Sequence, residues 1–498
     1  MLRNFLIAAS IPLGGLPALA ALPGHPLNPL QEPVGLSAGK PNIICILVDD
    51  MGWLDTGFMG SEFYETPNLD RLSRMGITFT DAYASASNCA PSRASLMTGQ
   101  WTPRHGIYTV DSSERGRSRD RMLIPIPNTS RLAESHLTMA EALKDAGYIT
   151  CSAGKWHLDD NPLNHGFDVN IGGCHAGNPG SYYPPYTMVP LKAPSDDYYL
   201  TNLIMDKTLE FLESTSDRPF FLYYAPYAVH TPIQPVRELL PKYAVKPGWN
   251  GQENRDYATM IENLDIQVGR LADFLEATGI MENTFILFTS DNGGHYGITR
   301  QLPLRSGKGS YYEGGIRVPM FAVWPGRIAP DSRSAVPVSH IDLFPTFMEV
   351  AGSGATGKAV NDIQESSGGK LTPCLDGRSL LPLMTDGQEP EVHPLYWHFP
   401  IYLEAYLKEG DPTKDPLFRT RPGAAVRSGN FKLIRYFENN DLELYNLQAD
   451  IGETSNLASV MPGKLQEMIR LLDDWLEYTK APVPQEFNPD YAPENITE

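Results

Sequence analysis

The sequence predicts an α/β protein: a large mixed, mostly parallel sheet sandwiched by helices, then a smaller C-terminal α+β subdomain with a short antiparallel sheet. Three observations predict it. Continuous apolar runs such as "NIICILV" (42–48) and "TFILFTS" (284–290) suit strands covered on both faces. Amphipathic stretches with helical spacing lie between such runs, and strands alternating with helices build parallel sheets. After about residue 375 the pattern changes to short strands joined by turns.

The chain opens with Arg3 and an apolar run, "FLIAASIPLGGLPALA", that ends in small residues at Ala20. This pattern is a signal peptide at 1–20, cleaved near Ala20. As a membrane anchor it is short and broken by Pro12, Gly14, Gly15 and Pro17. Residues 21–40, rich in Pro and Gly, read as a leader arm. A catalytic domain is expected over 41–375 and the α+β subdomain over 376–498.

Within the first domain, "NIICILV" is the first central strand. Thr66 as N-cap and Pro67 at the first position open a helix over 67–75. "ITFTDAY" follows as a strand. Thr138 and Glu141 have the spacing of a capping box, for a helix ending at Gly147. "YITCSA", "PFFLYYA", "TFILFTS" and "VPMFAVW" are further buried strands. Tyr257, Ile261, Leu264, Val268, Leu271 and Leu275 repeat at helical spacing within 254–278, a core-packing helix closed by Gly279. In the second part, "AAVRSGNFKLIRYF" and "LELYNL" are strands, and "GKLQEMIRLLDDWLEYT" is a closing amphipathic helix.

The 498 residues, 42% of them hydrophobic, suffice for large cores and exclude global disorder. A formal charge of −19 disfavours broad contact with nucleic acid or anionic membranes, while a small pocket can still be positive. No segment after the leader is long and apolar enough for stable membrane insertion. The five cysteines are Cys45, Cys89, Cys151, Cys174 and Cys374. Cys45 and Cys151 sit in apolar runs, and no spacing resembles a zinc site. Cys174 and Cys374 lie in loop-like sequence, and whether they pair is left open.

Polar clusters follow four of the strands: "DDMG" (49–52), "AGKWH" (153–157), "APYAVHTP" (225–232) and "SDNGGH" (290–295). Each alone is ordinary; paired aspartates cap helices, and Asp-Asn-Gly is a common turn. Ligands of open parallel sheets bind at the carboxyl ends of strands, so four clusters there point to one site. Together they supply three carboxylates, an amide oxygen, lysine and histidines, which is a hard-cation site beside an anion site.

"CAPSRASLMTG" (89–99) matches every fixed position of the type I, formylglycine-dependent sulfatase signature and resembles that family, part of the alkaline phosphatase superfamily. "GYITCSAGKWH" (147–157) is similar to its second signature. "PNIICILVDDMGWLDTGFMG" and "PLRSGKGSYYEGGIRVP" resemble its opening and late motifs. The resemblance runs from about residue 40 into the C-terminal subdomain. It implies that a maturation enzyme, the formylglycine-generating partner, converts Cys89 to Cα-formylglycine, whose hydrate offers an oxygen to the metal. Asp49, Asp50, Asp291 and Asn292, with the modified Cys89, match calcium ligands, calcium being favoured over magnesium by the number of protein oxygens.

The same resemblance implies roles for the cations. Arg93 holds the formylglycine hydroxyl and supports the metal site; Lys155 and Lys308 bind sulfate. One diol oxygen attacks sulfur, and His230 is our choice to protonate the leaving oxygen, with Lys308, which can also sit near that oxygen, as the alternative acid. His157 then takes the proton of the second hydroxyl, and sulfate is eliminated. The activity expected is a sulfuric ester hydrolase.

The family motifs do not separate sulfate esters. Export and aromatic loops point to a sulfated carbohydrate as substrate partner, with His175 and His398 as sugar contacts. The Tyr-rich stretch 174–198 suits sugar stacking or loop packing equally. Arg115, Arg117, Arg119 and Arg121 in "RGRSRDR" fit a solvated loop better than a polyanion grip. "YWHFPIY" (396–402) fits a glycan subsite or an interdomain core. A phosphodiester or phosphonate monoester hydrolase of the same superfamily, and a non-catalytic glycan-binding protein with Cys89 unmodified, are the competing readings. The expected location is periplasmic or secreted.

Overall fold

The structure, a computed structural model, describes residues 39–215, 218–352, 374–391, 393–406 and 410–492. The signal-peptide segment and most of the leader arm lie outside the described residues. Gly39–Glu498 make one compact unit.

An eight-stranded sheet runs in the order Val169–Ile171, Ile149–Gly154, Phe220–Ala225, Asn42–Val48, Thr284–Ser290, Met320–Val323, Ile77–Phe79, Ser332–Ser334. Met320–Val323 runs against both its neighbours, and the other pairings are parallel. Every residue of Asn42–Val48 is buried, as its unbroken apolar run requires. Ile44, Ile46 and Val48 face one core, packed by the helices Pro67–Arg74, Leu200–Ser214 and Arg255–Ala277. Ile43, Cys45 and Leu47 face a second core, packed by Cys89–Thr98, Met139–Asp145 and Leu343–Val350. This is the period-two alternation of a strand between two helix layers. Each fully buried aliphatic side chain there contributes about 1.5–3 kcal/mol.

The C-terminal sheet is antiparallel, in the order Leu395–Phe399, Gly423–Ser428, Phe431–Tyr436, Asp441–Asn446. The helix Pro462–Thr479 lays Met468, Leu472, Trp475 and Leu476 on it, with the rings of Tyr396 and Trp475 stacked 4.7 Å apart.

The Thr138–Glu141 capping box forms as its spacing predicts. Thr66 departs from expectation. It sits at the N-cap position, but its hydroxyl accepts from Gly57 N and donates to Asp70, so it caps nothing. The carboxylate of Asp265, on the facing helix, takes the free N–H groups of Asn68 and Leu69 instead. The "ITFTDAY" run is two short strands, Ile77–Phe79 and Ala82–Tyr83. Cys174 and Cys374 are not bonded to each other; all five cysteines are free.

Candidate active site

Parallel pairing decides the location. Val48 pairs with Ser290, so Asp49 and Asp291 leave the sheet side by side. Gly154 pairs with Ala225, which brings Lys155 to the same edge, and Lys155 N–H donates to Ala225 O. Cys89 begins the helix Cys89–Thr98, and every residue of that helix is buried. Arg93 lies one turn on, so both side chains share a face.

Nine of the expected residues form one linked cluster. Cys89 Sγ lies 3.6 Å from Asp49 Oδ1 and 3.7 Å from Asp50 Oδ1, and Lys308 Nζ is 3.0 Å from the same sulfur. Lys308 also meets Asp50 at 2.6 Å, and Lys155 meets Asp49 at 2.7 Å. Arg93 binds Asp291 at 2.9 Å, donates to Lys155 O at 2.9 Å and to Tyr223 Oη at 3.2 Å, and lies 3.7 Å from Asp49. Asn292 Nδ2 donates to Asp50 Oδ1 at 2.8 Å, and His230 Nε2 is 3.5 Å from Asp50 Oδ2.

Asp50 in this cluster and His157 beside it carry backbone strain. Asp50 has φ of 62° and His157 has φ of 64°, in the left-handed region that costs a side-chain-bearing residue about 1–3 kcal/mol. Behind Asp50, the buried carboxylate of Asp55 pins the loop by accepting from Gly52 N, Tyr257 Oη, Thr299 Oγ1 and Gln301 Nε2.

Electrostatics follow from crowding. Burial pushes Asp49 well above the usual carboxylate range, against the pull of Lys155. Burial also opposes the charge of Asp50 and Asp291, but Lys308 and Arg93 respectively lead the cations that hold them below it. Burial, then Lys155 and Arg93, drives His157 well below the ordinary imidazole value, so its ring is neutral. His230 is lowered by burial too, with Asp50 pulling the other way.

The donor set fits a hard divalent cation. Three buried carboxylates converge, and Asn292 Oδ1 is buried with no hydrogen-bond donor among the described residues. An unmet acceptor within a ring of carboxylates is what such an ion takes. Asp49, Asp50, Cys89 and His230 offer ligand atoms within 4.8 Å of one another. All the acceptors but the thiol and the imidazole are oxygens.

His157 lies beside the cluster rather than in it. Its backbone N–H donates to Cys174 O, and its ring Nδ1 has no hydrogen-bond partner among the described residues. His175, partly exposed, has its ring 6.2 Å from that of His157. A Cβ on Gly177 would come within 2.7 Å of the His157 ring, so only glycine lets this loop lie over it.

His398 is a correction. It is fully buried, with Nε2 on Pro482 O and its ring beside Tyr108 and Trp475, and it cannot meet a sugar. Strand Leu395–Phe399 is covered on both faces, so "YWHFPIY" is core. The tyrosines of 174–198 are also structural in part. Tyr182 is buried and donates to His230 O and Tyr227 O, bracing the loop that carries His230. Arg115, Arg117, Arg119 and Arg121 are held by their own loop and its neighbours: Val110 O, Asp120, Ala492 O and Glu114.

Sequence reasoning missed Tyr223, His295, Tyr406 and Arg419. Tyr223 reads as core and is, yet its hydroxyl faces Arg93. His295 stood in the "SDNGGH" cluster, a signal left unused. Tyr406 and Arg419 come from the C-terminal part and carried no motif.

Comparison with known proteins agrees with this geometry. The family model described as Sulfatase matches residues 41–353, and one described as N-sulphoglucosamine sulphohydrolase, C-terminal, matches 307–481. A sulfatase of Formosa agariphila is 31% identical, over 89% of this chain and 90% of that one. The N-acetylgalactosamine-6-sulfatase of Canis lupus familiaris is 32% identical, over 76% and 73%. The crystal structure of Ps i-CgsB in complex with k-i-k-neocarrahexaose superposes with a TM-score of 0.70 at 29% identity, covering 90% of this chain and 95% of that one.

Proposed function

Because the chain belongs to the sulfatase family and is a sulfuric ester hydrolase, we propose that it is exported and removes sulfate from a sulfated carbohydrate, using formylglycine at position 89. The observation that carries the reading is Cys89 at a buried helix start, 3.0 Å from Lys308 and within 4 Å of Asp49 and Asp50. The carbohydrate part draws support from two similar proteins, one named N-acetylgalactosamine-6-sulfatase and one solved in complex with k-i-k-neocarrahexaose.

Formylglycine, as its hydrate, would supply an oxygen nucleophile and a second hydroxyl as a route for releasing sulfate. Asp49, Asp50, Asp291 and Asn292 would hold calcium, which supplies positive charge that acidifies a bound hydroxyl. The chain's own residues do the rest. Lys308 and Lys155 flank the carboxylates and hold the anionic oxygens of the ester, where fixed cations stabilise developing charge. Arg93 ties Asp291 to the Lys155 backbone and keeps the cluster rigid. His230 Nδ1 lies 2.7 Å from Thr231 O, which turns Nε2 toward the site to move a proton to the leaving oxygen. His157, neutral through burial, offers Nδ1 as a proton acceptor.

The test pairs two measurements. Mass spectrometry of the Cys89 peptide is expected to show a lighter residue, one oxygen replacing sulfur and two hydrogens. Matured enzyme is expected to release inorganic sulfate from sulfated galactosamine or carrageenan oligosaccharides, with an aryl phosphate diester as the contrast. An unmodified thiol in active protein would overturn the nucleophile, and preferred turnover of the diester would overturn the substrate class. No helix among the described residues is long and apolar enough to cross a membrane. Export rests on the leader pattern, and N-terminal sequencing of secreted protein tests it.

A further inference from the structure

Arg419 lies on the short strand Phe418–Thr420, paired with Leu403–Glu404. It is 5% exposed, yet its Nε and Nη1 are buried with no hydrogen-bond acceptor among the described residues. A guanidinium stays charged and presents a planar fork of donors, so burying it unmet leaves the acceptor to a ligand. Its plane is held in place: the guanidinium carbon sits 3.5 Å from the Tyr406 ring centroid, and Tyr406 stacks on His295 at 3.7 Å.

Arg419 packs against Gly309, the residue after Lys308. A Cβ on Gly309, where φ is +88°, would fall 2.5 Å from Arg419 Nε. The C-terminal part therefore pushes a cation against the segment that carries the sulfate-binding lysine. Burial, only partly offset by Glu404 and worsened by Arg115, pulls the guanidinium down to about 9, as expected of a cation short of counter-charge. Glu404 is itself 3.8 Å from Arg115.

We propose that Arg419 determines specificity by binding a second anionic group of the glycan, a sulfate or a carboxylate, beside the sulfate that is removed. The site's own cations are engaged with Asp49, Asp50 and Asp291, whereas Arg419 has donors to spare. On a protein with a net charge of −19, a polyanionic sugar needs such a local cation to approach. The inference rests on the sulfated-carbohydrate reading.

Steady-state kinetics of wild type, Arg419→Met and Arg419→Lys test it on four substrates: an aryl sulfate, a monosulfated sugar, the same sugar with a second sulfate, and a monosulfated sugar linked to a uronate. Arg419→Met is expected to lower kcat/KM about 10- to 100-fold on a doubly anionic substrate, the worth of one charge-assisted contact, mainly through KM. The aryl and monosulfated substrates are expected to stay within about threefold by the same reasoning, which also reports that the variant folds. Arg419→Lys recovers part of the loss. Loss confined to the disulfated arm identifies a sulfate, and loss confined to the uronate arm a carboxylate. Equal loss on all four, or none on either doubly anionic substrate, overturns the assignment while leaving the sulfatase reading intact. If wild type cleaves the aryl sulfate and no sugar, the carbohydrate reading itself fails and the inference with it.

Discussion

Replacing Arg93 by methionine is expected to remove the main support of Asp291. The guanidinium and the carboxylate are both fully buried, 2.9 Å apart. At that separation, with an effective dielectric constant near 20, their attraction is about 6 kcal/mol, and breaking a buried pair from one side costs about 3–5 kcal/mol. The chain has one escape, which is to protonate Asp291. Neutralising a carboxyl of ordinary pKa about 3.9 at about pH 7.5 costs about 5 kcal/mol, so this caps the loss. In wild type, burial opposes the Asp291 charge but Arg93 leads the groups that hold its carboxyl low, and its contribution is flat well above pH 4. In the variant its folded pKa lies above the unfolded one, so stability falls as pH rises toward that value. The wild-type–variant difference should therefore shrink by about 1.4 kcal/mol for each pH unit lowered from about pH 7.5 to about pH 5.5. Denaturant unfolding in chelator, at several pH values, measures it. A loss under about 1 kcal/mol, or one independent of pH, would refute the view that Arg93 is there to balance buried charge.

Two further outcomes follow from the same site. Lys308→Met should lower kcat for sulfate release about 10²- to 10³-fold, the usual worth of one fixed donor at developing charge, and a change in KM alone would count against it. Asn292→Leu removes the unmet Oδ1 and the Nδ2 bond to Asp50, and titration calorimetry should show calcium binding weakened at least about 10-fold. Unchanged affinity would remove Asn292 from the ligand set.

What the sequence by itself determined is local or periodic. Six apolar residues in a row, from Ile43 to Val48, admit no exposed face, and the strand is central and buried. Thr138 and Glu141 close a capping box because both partners lie within one turn. The polar clusters after Val48, Gly154, Ala225 and Ser290 converge because parallel strands share one carboxyl edge, a consequence of topology legible from the strand–helix alternation. Tertiary structure decided whatever depends on a partner distant in the chain. His398 reads like any histidine in an aromatic run, and groups distant in the chain, Tyr108, Phe437, Trp475 and Pro482, enclose it and make it core. Thr66 has cap chemistry, but the carboxylate that reaches Asn68 and Leu69 comes from Asp265, on another helix. Arg419 carries no motif at all. Its unmet donors beside Gly309 exist because the C-terminal strand Phe418–Thr420 closes against the loop of Lys308, and that contact is written in no local pattern.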